Sequence, residues 1–143
     1  MDTVRFVRAD ERLESAHPGP FEVDSLPLLG TWINTNTATP GIAKVIITGR
    51  AGDVSIRVLS ASGPTPRDWG EADVDVLYAA GVHSLAAMGF VAAYDFDVVE
   101  TQLEANSSLG LLVIATFNTF TDRSGRSNYF AREFFYRQES SAN

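Results

Sequence analysis

The chain contains no cysteine. Disulfides, thiolate metal sites and cysteine nucleophiles are excluded on that ground. Cations are in deficit as well: 11 Lys and Arg stand against 18 Asp and Glu, for a formal net charge of -7. A basic face that could neutralise phosphates is not to be expected, so neither nucleic acid nor an anionic membrane surface is an expected partner. A net charge of this size mainly favours solubility. Long hydrophobic runs are missing too, and no window approaches the ~18 apolar residues of a membrane-spanning helix. The opening Met1-Asp2-Thr3-Val4-Arg5-Phe6 lacks a basic stretch followed by an apolar one. The expectation is a cytoplasmic protein without a signal peptide, with a mature secreted form as the alternative. Only two histidines occur, His17 and His83, and no His-x-x-x-His spacing. No metal site and no cofactor are therefore expected. There is no glycine-rich phosphate loop and no Gly-x-Ser-x-Gly elbow. The run Asp122–Arg126 is too short and too poor in carboxylates for a calcium loop, and reads as a hairpin turn.

What is present is a succession of short apolar runs divided by turn residues. The 143 residues, 45% of them hydrophobic, suit one domain with a sizeable core. Residues 1–27 are weakly patterned and broken by His17-Pro18-Gly19-Pro20. They read as an N-terminal arm anchored through Phe21, Val23 and Leu26, or as a lid over a barrel mouth. From Leu28 on, strand-like runs recur. Leu29–Thr35 is the first and Ile42–Thr48 the second. Val54–Ser60 alternates, followed by a loop over 61–70 that carries Trp69. Glu71–Tyr78 alternates again, placing Ala72, Val74, Val76 and Tyr78 on one face. Ala79–Met88 reads as a loop or a single helical turn. Phe90, Ala92, Tyr94 and Phe96 define the next inward face. Val99, Thr101, Leu103 and Ala105 define another. Leu111–Phe120 and Asn128–Arg137 complete the set, and 138–143 form a polar tail expected to be frayed.

About eight strands in hairpin-length succession leave little room for the crossovers that parallel strands need. The predicted fold is all-β: an eight-stranded antiparallel up-and-down closed barrel over residues 28–137. Closure also removes the edges that an open sheet would expose.

The step Gly30-Thr31-Trp32 on the first strand resembles the calycin group of lipocalins, fatty-acid-binding proteins and avidins. That resemblance implies a meander barrel with Trp32 closing its floor. It also implies an arginine from near the last strand, Arg132 or Arg137, packed over the indole. The run Arg67-Asp68-Trp69-Gly70-Glu71, with Ser127-Asn128-Tyr129, is similar to small, uncharacterised bacterial barrel domains. Further lipocalin motifs and the biotin-stacking tryptophans of avidin are absent, so no family ligand carries over.

Candidate site residues follow from strand parity. Trp32 is read as floor or core, and Trp69 as a wedge pinning its loop or as a ligand platform. Phe90 and Tyr94, with Phe130, Phe134 and Tyr136 of the last strand, either fill the core or line an apolar cavity. Arg132 shares parity with the last three, and would then be a buried charge needing a partner or a ligand. In the opposite register Glu133, Phe135 and Arg137 point inward instead. Thr116 and Asn118 share an inward parity on the neighbouring strand. The leading expectation is a barrel that binds a small hydrophobic or amphipathic molecule in its interior. The alternative is a cofactor-independent cyclase or isomerase of polyketide-type chemistry, with Tyr78, Tyr94 and Arg132 as donors to a developing oxyanion. A third reading is a filled barrel acting as an interaction module. In Leu111–Phe120, Val113, Ala115 and Phe117 lie on the face opposite Leu112, Ile114 and Thr116; if both faces are buried, one of them packs against a second subunit to make a homodimer.

Overall fold

The eight strands follow from alternating or β-branched runs separated by turn chemistry, and each hydrogen-bonds to the next. The computed structural model describes residues 23–62 and 64–139. β1 (Gly30–Asn34), β2 (Ile42–Arg50), β3 (Asp53–Ser60) and β4 (Asp68–Ala79) make one half of the barrel. β5 (Ala87–Asp95), β6 (Val99–Ser108), β7 (Leu111–Phe120) and β8 (Tyr129–Arg137) make the other. Every pairing of these strands is antiparallel and in chain order, and β8 returns to β1 to close the barrel. The all-β closed barrel expected from the sequence is what the chain forms. The β2–β3 hairpin turns at Ala51-Gly52, both at positive φ (49° and 90°). That is the two-residue turn whose twist matches its flanking strands.

Of the arm or lid expected over 1–27, positions 1–22 lie outside the described residues, and Phe21 with them. Residues 23–28 pack at one end of the barrel, where a short 3-10 turn, Leu26–Leu28, precedes β1. Leu28 is fully buried, whereas Leu26, an expected anchor, is 68% exposed. Asp24 pairs with the start of β5 through the Ala87 N–H, which donates to its carbonyl (2.9 Å). The segment 79–88 holds no helical turn; its last residues begin β5.

This end is the floor. Trp32 is buried, and its indole N–H donates to the Leu28 carbonyl (2.9 Å). Above it the inward rows of β2, β3, β5, β6, β7 and β8 meet in a packed core that includes Val45, Ile56, Phe90, Leu103, Ile114 and Phe135. Burying side chains of this kind stabilises by about 1.5–3 kcal/mol each relative to exposure. The lower half of the barrel is therefore filled with side chains.

Two of the expected faces are changed. In β4 the register against β5 shifts between Val74 and Val76. The extra residue, Asp75, is a β-bulge, and it turns the rest of the strand over. Ala72 and Val74 face in, but so do Leu77 and Ala79, while Val76 and Tyr78 are exposed. In β8 the inward residues are Ala131, Glu133 and Phe135. Phe130, Arg132, Phe134 and Tyr136 lie on the outer surface, all exposed. The run is apolar on both faces, so alternation alone gave no bias between the two registers.

Candidate functional site

At the end opposite Trp32 the barrel is open. The last residues of β1, β3 and β7 and the first of β2, β4 and β8 converge there with the β1–β2 and β3–β4 loops. Together they enclose a cavity of about 450 Å³. Its walls are apolar at Trp69, Pro40 and Ala131 and polar at Asn118, Thr116, Ser60 and Glu133. Glu133 is the only acidic side chain in the described lining, which holds no Lys, Arg or His.

Glu133 owes its position to the inward register of β8. Its carboxylate accepts from Asn34 Nδ2 (2.6 Å), from the Thr39 hydroxyl and from the Ile42 N–H (3.1 Å). Charged acceptors make stronger hydrogen bonds than neutral ones. These three donors come from β1, the β1–β2 loop and β2, so the carboxylate ties the last strand to the first two. Gly41 permits this approach: a Cβ there would lie 2.5 Å from Glu133 Oε1. Asn34 completes the clamp by donating to the Ile42 carbonyl as well (2.8 Å).

Asn118 lies on the wall. It is only 5% exposed, and its Oδ1 accepts from the Thr101 hydroxyl (2.7 Å). The other end of its amide has no hydrogen-bond partner among the described residues. A buried amide left half-satisfied is costly, by about 1–3 kcal/mol. This one borders the cavity.

Trp69 is the second residue of β4 and packs edge-on to Tyr94 and Phe96, both at 5.2 Å between ring centroids. Its indole N–H donates to the Thr65 hydroxyl (3.1 Å), which pins the β3–β4 loop. Trp69 is thus both wedge and wall. The Tyr94 hydroxyl is shared between the carbonyls of Ile56 (3.1 Å) and Gly70 (3.0 Å). Burial, aided by the nearby Asp68 and Glu71 charges, pushes this phenol well above its usual range. Its proton is committed to the barrel wall.

The structure brings three of the candidates together at the cavity: Trp69, Thr116 and Asn118. Trp32 and Phe90 belong to the packed lower half. Tyr78, Phe130, Arg132, Phe134 and Tyr136 are on the outside, because of the Asp75 bulge and the register of β8. Inward placement of these five is corrected by that geometry. Asn34 and Thr39 were not among the candidates, and Glu133 entered only through the opposite register of the last strand. The signal for Asn34 was its shared parity with Trp32, and for Glu133 its shared parity with Phe135.

Comparison with known proteins gives no match: no family model, no curated protein and no solved structure matches the chain.

Proposed function

We propose that the barrel binds a small amphipathic molecule at its open end, with an apolar part against Trp69 and Pro40 and a polar part at Asn118 and Glu133. The observation that carries this reading is the half-satisfied amide of Asn118 at the edge of the cavity. The cavity's volume, about 450 Å³, falls in the usual range for small-molecule sites, and its mix of apolar wall and few polar groups is the usual form. A carboxylate without a cation in the lining disfavours an anion, and the unpartnered Asn118 Nδ2 needs an acceptor, so a group that both donates and accepts, an amide or a hydroxyl, fits the pair. The calycin-like reading draws support from the closed meander and from Arg137 over the Trp32 ring at 4.6 Å.

Turnover in the same cavity, as cyclisation or isomerisation without a cofactor, would have to run on Glu133 and Asn118. Tyr78 and Arg132 point away, and the Tyr94 hydroxyl is engaged.

The test is native mass spectrometry of the purified protein, followed by titration with phenylbutyramide and phenylbutyrate read through tryptophan emission. A co-purified small molecule, or uptake of the amide in preference to the acid, is expected. Asn118→Leu should then weaken binding about tenfold, the loss of one hydrogen bond of about 1.4 kcal/mol. An empty protein that takes up neither probe would sink the proposal.

A further inference from the structure

The outer face of β7 and β8 carries a stripe of aromatic rings that the barrel does not use. Phe117, Phe130, Phe134 and Tyr136 are 42%, 67%, 40% and 47% exposed. Phe117 and Phe130 stack on one another at 5.9 Å between centroids. With about 200 Å² on each ring residue, the four leave roughly 400 Å² in water. That is the size of the largest apolar patch on a typical monomer, and such patches are often functional.

One transverse row crosses this stripe with a particular charge order. Glu104 on β6 is the direct partner of Ala115 on β7, and Ala115 is the direct partner of Arg132 on β8. All three point outward. Glu104 and Arg132 stand two strands apart, about 9.6 Å at the usual strand spacing. Neither makes a salt bridge among the described residues. Glu104 accepts only from the exposed Gln102 amide (3.1 Å), and the Arg132 guanidinium lies 5.5 Å from the Phe134 ring centroid. The side chain between them is the smallest in the row.

We infer that this face is a homodimer interface, with a twofold axis running along β7 over Ala115, so that Arg132 of each copy meets Glu104 of the other. Rotation about an axis parallel to β7 carries β6 of the second copy onto β8 of the first. The row is then complementary to itself: anion over cation on one side, cation over anion on the other, and alanine against alanine between them. An isologous contact requires that kind of self-complementarity. Two sheets packed face to face lie about 10 Å apart, a gap that Arg and Glu side chains bridge between them. In the flanking rows the same axis sets Phe117 against its own copy and lays Phe130 and Phe134 over Gln102 and Asn106 of the other copy, so that the rings supply the apolar area and the β6 amides cover their faces. Two copies of the ring surface give roughly 800 Å², and the polar rim brings the total to roughly 1,200 Å², the low end for specific interfaces. A dimer of moderate affinity, in the micromolar range, fits that area.

The experiment is sedimentation equilibrium of the full chain and three variants: Arg132→Glu, Glu104→Arg and the double exchange. The wild type is expected to dimerise. Each single reversal sets like charges against each other in both symmetric pairs and should raise Kd at least about tenfold. The double exchange should return Kd to within about threefold of the wild type. Both positions are exposed, and circular dichroism verifies that each variant keeps the sheet. A wild type that stays monomeric at about 100 μM overturns the inference, taking the micromolar range set by the area as reference. So does a dimer that both single reversals leave intact, or a double exchange that fails to restore it.

Discussion

The guanidinium of Arg137 lies 4.6 Å from the ring centroid of Trp32, and the two residues are direct partners across the seam between β8 and β1. The same guanidinium donates to the Pro27 carbonyl. One side chain thus holds the first strand, the last strand and the segment that closes the floor.

Arg137→Ala should lower stability by about 1 kcal/mol, the range of a partly exposed cation–π contact. Urea denaturation measures it. In a Trp69→Phe background the remaining emission comes from Trp32, and the same substitution should shift it to the red. Unchanged stability and emission would mean that the contact carries nothing.

Glu133 is expected to matter as a clamp. Glu133→Ala leaves Asn34, Thr39 and the Ile42 N–H without their shared acceptor. The expected loss is about 2–3 kcal/mol. Gly41→Ala should also destabilise, because its Cβ meets the carboxylate. In the Glu133→Ala background that penalty should shrink, and a double-mutant cycle reads the coupling directly. Additive effects would show that the close approach is not what Gly41 serves.

Tyr94 predicts an alkaline limit. Its phenol is raised in the fold by burial, then by the Asp68 and Glu71 charges, while in the unfolded chain it titrates near pH 10. The favoured species in the fold is the neutral one. Its contribution is fully present below about pH 10 and is lost as pH rises above that value. Tyr94 should ionise late in an absorbance titration, together with loss of tertiary structure. Tyr94→Phe should remove that late step and flatten the alkaline stability curve, while lowering stability at neutral pH through the lost hydrogen bonds.

The bulge at Asp75 gives a test of facing. Leu77→Ala should cost about 2 kcal/mol as a core truncation, whereas Val76→Thr, on the exposed side, should stay within about 0.5 kcal/mol. The reverse order in urea denaturation would restore the uninterrupted alternation that the sequence suggests.

The barrel was legible in the sequence because its evidence is local and repeated. Val54, Ile56 and Val58 alternate with Ser55 and Arg57, Val99 to Ala105 alternate with Glu100 to Glu104, and turn residues separate the runs. Hairpin-length spacing then left a meander as the consistent topology. Trp32 at the floor followed from its place on the first strand. Thr116 and Asn118 were legible as inward residues because their strand has a polar pair on one parity next to the apolar Leu112 and Ile114.

The remainder was decided only by the tertiary structure. Side chains in a strand alternate with period two, so one extra residue or one step of register moves a whole row to the other face. In β4 the extra residue is Asp75, which looks in the sequence like one more polar position in an unbroken alternation. In β8 apolar residues occupy both parities, and hydrophobicity could not choose between them. The folded chain places Glu133 inward, where Asn34, Thr39 and Ile42 supply donors from segments about ninety or more positions away in sequence. It leaves Arg132 outward, where no burial has to be compensated. A strand's own residues determine that it is a strand; which of its faces meets the interior depends on partners that only closure of the barrel brings within reach.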